Sequence, residues 1–192
     1  MKPTKARPSQ LRIIAGEWRS RRFTFVEQPG LRPTPDRVRE TLFNWLNLYI
    51  ENARCLDLFT GSGALTLEAL SRGAQHVLSC DLSREVVTTL RGHLQTLQCD
   101  RAEVRQQDAM ALLATPPAEP FDMVFADPPF HQGLLEPACA ALEENGWLNP
   151  NALIYTESET PPEQLSHPDS WHLHRQKKAG QVWYSLWQRQ DI

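Results

Sequence analysis

From Ala53 to Glu157, short apolar runs alternate with helical patterns, and that alternation restricts the fold more than any other feature of the chain. The strand-like runs are ARCLDLF, HVLSCD, AEVRQQ, FDMVFA and ALIYTE. Helical stretches run from Ala64 to Ser71, from Arg84 to Leu97, from Ala109, and from about Leu134 to Glu144. Parallel strands need crossover connections, and near-continuous apolar strands need cover on both faces. The pattern therefore predicts an α/β fold, a mainly parallel sheet with helices on both sides. WHLHRQKKAGQVWYSLWQR differs, reading as two strands joined through Lys-Lys-Ala-Gly, an antiparallel hairpin that finishes the sheet.

The chain before Ala53 has another character. Residues 1–10 read as a flexible basic lead, and LRIIAGEWRSRRFTFV as a hairpin around a Gly- and Arg-containing turn. In LRPTPDRVRETLFNWL a helix begins near Pro35, with Thr34 as its cap. Val38, Leu42, Trp45 and Leu46 recur on its apolar side, and Arg37, Arg39 and Glu40 lie on its polar side. At 192 residues the chain suits one domain, residues 51–192, with a hairpin-and-helix extension over residues 11–50. The formal net charge of −3 hides an asymmetry: the first 39 residues hold ten Lys/Arg against three Asp/Glu, and the remainder ten against twenty. A basic arm on an acidic domain is read as a polyanion contact or as a solvated tail.

Cys55, Cys80, Cys99 and Cys139 lack metal-type spacing and read as reduced thiols, and His172 with His174 supplies too few ligands for zinc. No metal is expected. No apolar run approaches membrane-spanning length and no signal-peptide core follows the basic start, so a soluble cytoplasmic protein without membrane contact is expected.

Strand ARCLDLF runs into T-G-S-G-A, a small-residue turn that feeds a helix and lets backbone N–H groups approach a ligand. Asp81, twenty residues beyond Gly61, stands at the end of the next strand, where a carboxylate accepts ribose hydroxyls. A dinucleotide fingerprint would place a third glycine at Thr66, and a P-loop needs a Gly-Lys pair; neither is present. Asp57 would oppose a pyrophosphate but suits the ammonium and sulfonium of S-adenosylmethionine. Asp108 reads equally as an adenine-side group or as the N-cap of AMALL.

FADPPF ends the fourth strand abruptly, because Pro128 and Pro129 cannot continue it. Asp127 and a backbone carbonyl would accept the two N–H bonds of an exocyclic base amine and aim its lone pair at a methyl donor. Phe130 would stack on the base.

These residues resemble the class I S-adenosylmethionine-dependent methyltransferases, and DPPF is similar to the (Asp/Asn)-Pro-Pro-aromatic motif of exocyclic-amine methylators. RIIAGEWRSRR, LRPTPDRVRETLFNWL, LDLFTGSGALTLEALSRGA, FADPPF, NGWL and AGQVWYSLWQR together resemble the ribosomal RNA small subunit methyltransferase D family nearly end to end. The resemblance implies a Rossmann-like seven-stranded sheet of order 3-2-1-4-5-7-6 with strand 7 antiparallel. It also implies action on a guanine N2 of the guanine-966 type in 16S rRNA, within an assembled or assembling small ribosomal subunit; a monomer is expected, although the sequence does not disclose oligomeric state.

By position the resemblance makes Asp57, Phe59, Thr60, Gly61, Ser62 and Gly63 the donor loop. Asp81 and Leu82 fall on the ribose side, Asp108 and Ala109 on the adenine side, and Asp127, Pro128, Pro129 and Phe130 form the catalytic element. Thr34 and Arg32, in the Arg-Pro-Thr segment, would close over the methionine end. Arg12, Arg19, Arg21, Arg22, Arg32 and Arg37, with Trp18, would contact rRNA. Thr60 and Thr66 stand where the family usually has Ala and Gly, Asp81 where it has Glu, and Asp108 where Asn is common. Two competing functions are a DNA adenine-N6 methyltransferase, which the lack of an inserted target-reading domain disfavours, and a non-catalytic RNA-binding assembly factor, which the intact donor loop disfavours.

Overall fold

The computed structural model describes residues 9–29 and 33–190. Its centre is a seven-stranded sheet built from β3 (Arg54–Asp57), β4 (His76–Asp81), β5 (Ala102–Gln106), β6 (Phe121–Ala126), β7 (Leu148–Ser158), β8 (Trp171–Ala179) and β9 (Val182–Arg189). The spatial order is β5-β4-β3-β6-β7-β9-β8, and β9 runs antiparallel to both of its neighbours. Numbered from β3, this is 3-2-1-4-5-7-6, as the resemblance implies. β4 and β6 match HVLSCD and FDMVFA residue for residue, because strands covered on both faces are apolar along most of their length.

Helices α1 (Asp36–Leu46), α2 (Ala64–Ser71) and α3 (Arg84–Thr96) share one apolar cluster with one face of the sheet. Helices α4 (Ala109–Leu113) and α5 (Leu135–Glu144) share another with the opposite face. Strand order reverses between β3 and β6, so the loops after β3, β4 and β6 meet at one edge, the position at which open α/β sheets take ligands.

At the N-terminus β1 (Ser9–Arg12) and β2 (Arg22–Phe25) form the expected antiparallel hairpin, with Ser9 and Gln10 inside β1 and residues 1–8 outside the described residues. The hairpin is fastened to α2. Ile14 N–H and Ala15 N–H donate to the Glu68 carboxylate at 2.9 and 3.1 Å, and Ser71 Oγ accepts from Trp18 N–H at 2.9 Å. Leu11, Ile13, Trp18, Phe23 and Phe25 enter the same cluster as α1 to α3, so one core joins hairpin and sheet. This explains why every residue of α2 is buried: the hairpin covers the side that water would otherwise reach.

Four local expectations are corrected. Trp18 is 6% exposed, with the Arg101 guanidinium 5.8 Å from its ring centre, so a base cannot stack on it without opening the core. Arg39 is 1% exposed, not on the polar side of α1; its Nη2 donates to the Arg12 carbonyl and to Asp36, and its Nη1 lies 3.6 Å from Glu68. Thr34 does not cap α1: Pro35 holds that position, and Thr34 Oγ1 donates to Glu157 instead. The last hairpin turns at Gly180 and Gln181, with Lys177 to Ala179 still paired. Gly180 has φ +61°, the left-handed entry that two-residue hairpin loops favour.

Candidate active site

β3 ends in Asp57, which is 2% exposed. The chain then turns through Phe59 to Gly63, held by Thr60 N–H donating to the Cys80 carbonyl (3.0 Å) and Gly63 N–H donating to the Thr60 carbonyl (2.9 Å). Gly61 and Gly63 have φ of +54° and +79°, values that side chains disfavour, and Gly63 opens α2. At the end of β4, Asp81 braces this loop: its two carboxylate oxygens accept from Gly61 N–H at 3.0 Å and Ser83 N–H at 2.9 Å. Each oxygen keeps a further acceptor direction. Leu82 beside it is 67% exposed, an apolar face at the loop's rim.

Thr66 has a use that the sequence did not disclose. Its hydroxyl donates to Asp57 at 2.7 Å and lies 2.7 Å from Ser79 Oγ, fixing the acid beneath the loop. Burial nevertheless pushes the Asp57 carboxyl up to about 7; the Thr66 bond opposes that rise and nearby Asp81 adds to it. Asp108 caps α4, its carboxylate accepting from Ala111 N–H at 2.9 Å, and Ala109 behind it is buried.

Asp127 follows the last residue of β6, where the prolines stop the strand. The register pairs Ala126 with Thr156, which sets Asp127 beside Glu157 near the end of β7. Sequence reasoning passed over Glu157. It is 6% exposed, it is hydrogen-bonded to the Asp127 carboxyl, and its Oε1 accepts from Thr34 Oγ1 (3.0 Å) and Tyr155 Oη (2.8 Å). Burial and then the neighbouring Glu157 charge raise the Asp127 carboxyl well above the usual carboxylate range, and burial raises Glu157. Two carboxyls in such contact oppose each other's ionisation. Pro128 is buried, Pro129 exposed and Phe130 half-buried, and His131 next to them pairs with Glu159 at 3.1 Å.

Arg12, Arg19, Arg21, Arg22 and Arg37 are exposed, and Arg32 lies outside the described residues. The segment after β2 passes the edge of the donor loop, where Gln28 Nε2 donates to Ser83 Oγ at 2.6 Å. The arginine-bearing hairpin therefore leads directly to the acidic edge.

A sheet of this order, with a glycine loop after its first strand and acids at the ends of the first, second and fourth, is the class I methyltransferase fold. The chain matches the family described as Conserved hypothetical protein 95 over residues 11–188. It belongs to the ribosomal RNA small subunit methyltransferase D family: the proteins of that name from Escherichia coli K12 and Haemophilus influenzae are each 50% identical to it. The alignments cover 98% of this chain and 95% of the first relative, and 93% and 94% for the second. A solved Escherichia coli chain, yhhF, is 50% identical with a TM-score of 0.89, covering 95% of this chain and 99% of that one. The fold alone is shared with a T. thermophilus 16S rRNA N2 methyltransferase solved with S-adenosylmethionine and guanosine, at 21% identity and a TM-score of 0.65, over 96% of this chain and 50% of that one.

Proposed function

We propose that this protein moves the methyl of S-adenosylmethionine to the exocyclic N2 of one guanine in 16S rRNA, of the guanine-966 type, presented by the small ribosomal subunit, and that it acts as a monomer. The observation that carries the reading is Asp127, held by Glu157 at the end of β6 and next to the braced glycine loop. The family's name supports the small-subunit RNA as substrate.

The donor set suits the cofactor. Asp57 and Glu157 are buried, and neither forms an ion pair with a Lys or Arg among the described residues, so a cationic ligand complements them. Asp81 can take the ribose hydroxyls on its remaining acceptor directions, with Leu82 against the adenine ring. When bound, S-adenosylmethionine supplies a methyl group on a positively charged sulfur. The protein's part is positional: Asp127 and an adjacent carbonyl accept the amine's two N–H bonds, and Phe130 stacks on the base. Proton loss follows methylation, because a carboxylate is far too weak to deprotonate a neutral arylamine beforehand. Methyl transfer to unmethylated small subunits, followed by nucleotide analysis, tests the reading; a product other than N2-methylguanine would overturn it.

Asp81→Ala should lower S-adenosylmethionine affinity about ten- to a hundredfold, because it removes a charged acceptor from the ribose and a brace from the loop. Calorimetry giving wild-type affinity in a folded variant would contradict the ribose assignment.

The exposed arginines of the hairpin supply phosphate contacts. Deleting the hairpin would strip apolar residues from the core, so charge removal is the cleaner perturbation. With Arg12, Arg19, Arg21 and Arg22 all changed to Gln, the log–log salt slope of subunit binding should flatten by about 3 units while cofactor affinity holds. An unchanged slope would assign phosphate binding to another face.

A further inference from the structure

Three carboxyl groups stand on neighbouring strand ends: Asp57 on β3, Asp127 just past β6 and Glu157 on β7. The pairings of Asp57 with Phe125 and of Ala126 with Thr156 set Asp127 beside Glu157, two residues beyond the level of Asp57, with all three at the same edge of the sheet. None forms an ion pair with a Lys or Arg among the described residues. Hydroxyls serve them instead, Thr66 on Asp57, and Thr34 and Tyr155 on Glu157, while Asp127 is hydrogen-bonded to Glu157. Neighbouring carboxyls, Asp57 and Glu157 buried and Asp127 half-buried between them, oppose one another's ionisation unless a positive charge joins them.

We propose that this acid cluster, through Glu157, reads the charge on the cofactor's sulfur: it gives up protons to hold the cationic donor and takes them back when the neutral thioether product remains. The inference rests on the assignment of S-adenosylmethionine as cofactor. In the transfer the sulfur–methyl bond breaks with its electron pair left on sulfur, and a bond from the base nitrogen to the methyl carbon forms. The nitrogen then loses one proton. Sulfur has gone from positive to neutral, and the cluster, no longer facing a cation, accepts that proton. Product affinity falls relative to donor affinity without any movement of the backbone.

The surroundings permit this. From β4, Asp81 adds its negative charge to that of Asp57. From β7 and β9, Tyr155 and Tyr184 are pushed upward, chiefly by burial, and stay neutral; Tyr184 is raised to about 12. Arg37 of α1 acts on Tyr184, which pairs across the strands with Lys177 of β8. His131 is engaged with Glu159. The sign follows from linkage: the free protein binds more protons than its donor complex, so donor affinity rises with pH while Asp57, Asp127 and Glu157 titrate.

The test is calorimetric titration of the whole protein with S-adenosylmethionine and with S-adenosylhomocysteine, at about pH 6.5 and about pH 7.5, in buffers of different ionisation enthalpy. The donor should release at least about half a proton more than the product, and the ratio of the two affinities should rise about threefold or more per pH unit. Because each ligand's own α-amino group titrates near this range, the variant comparison isolates the protein's share. Glu157→Gln should at least halve the difference in proton release. Tyr155→Phe, which removes a hydrogen bond to ionised Glu157 and leaves the carboxyls in place, should enlarge it. Equal release for the two ligands in the wild type, or a difference unmoved in folded variants, would overturn the proposal. If neither ligand binds, the cofactor assignment itself fails.

Discussion

In the Asp127→Ala protein, single-turnover methyl transfer to unmethylated small subunits should fall by at least about a hundredfold, while affinity for S-adenosylmethionine stays within about tenfold of wild type. Without the carboxyl, one acceptor for the amine is lost, and the lone pair is no longer aimed at the methyl. Folding should be undisturbed, because the change removes one of two neighbouring carboxyls that oppose each other's ionisation. Asp127→Asn should keep measurable activity: its amide oxygen still accepts one N–H bond, and its amide nitrogen can donate to Glu157. Full activity in Asp127→Ala, with the product confirmed as N2-methylguanine, would remove the role given to FADPPF.

Glu68→Ala should lower unfolding stability by about 3 kcal/mol or more, read from urea midpoints at constant m. Glu68 is completely buried and serves four partners at once: Ile14 N–H, Ala15 N–H, Arg72 Nε at 2.8 Å and Arg39 Nη1 at 3.6 Å. Removing it takes from Arg39 Nη1 its only carboxylate among the described residues, and the acceptors from two backbone donors, with no water to replace the lost bonds, although Arg39 Nη2 keeps Asp36 and the Arg12 carbonyl. Glu68→Gln should cost less, since one acceptor oxygen remains. A loss below about 1 kcal/mol in the alanine variant would show that apolar packing alone holds the hairpin on α2.

The layered α/β plan and several element boundaries were legible because they depend on local chemistry. β4, β6 and α2 span the residues that the apolar runs and glycine or proline punctuation mark out. The glycine loop and Asp81 were readable for the same reason: turns that need positive φ and strands that end in acids leave short, ordered signals. Pairings between distant segments left no such trace. Thr34 looks like a helix cap from its neighbours, yet its hydroxyl serves Glu157, 123 residues away. Arg39 shares a helix with exposed Arg37, and only the hairpin folding over α2 turns one inward and leaves the other in water. Trp18 sits among arginines in sequence and under the surface in space, because its backbone is tied to Ser71. Glu157 closes an apolar strand like any boundary acid. It met Asp127 only when parallel pairing set β7 against β6, since which strands become neighbours, and in what register, depends on the apolar patterns of both strands and on the chain that connects them, and not on β7 alone.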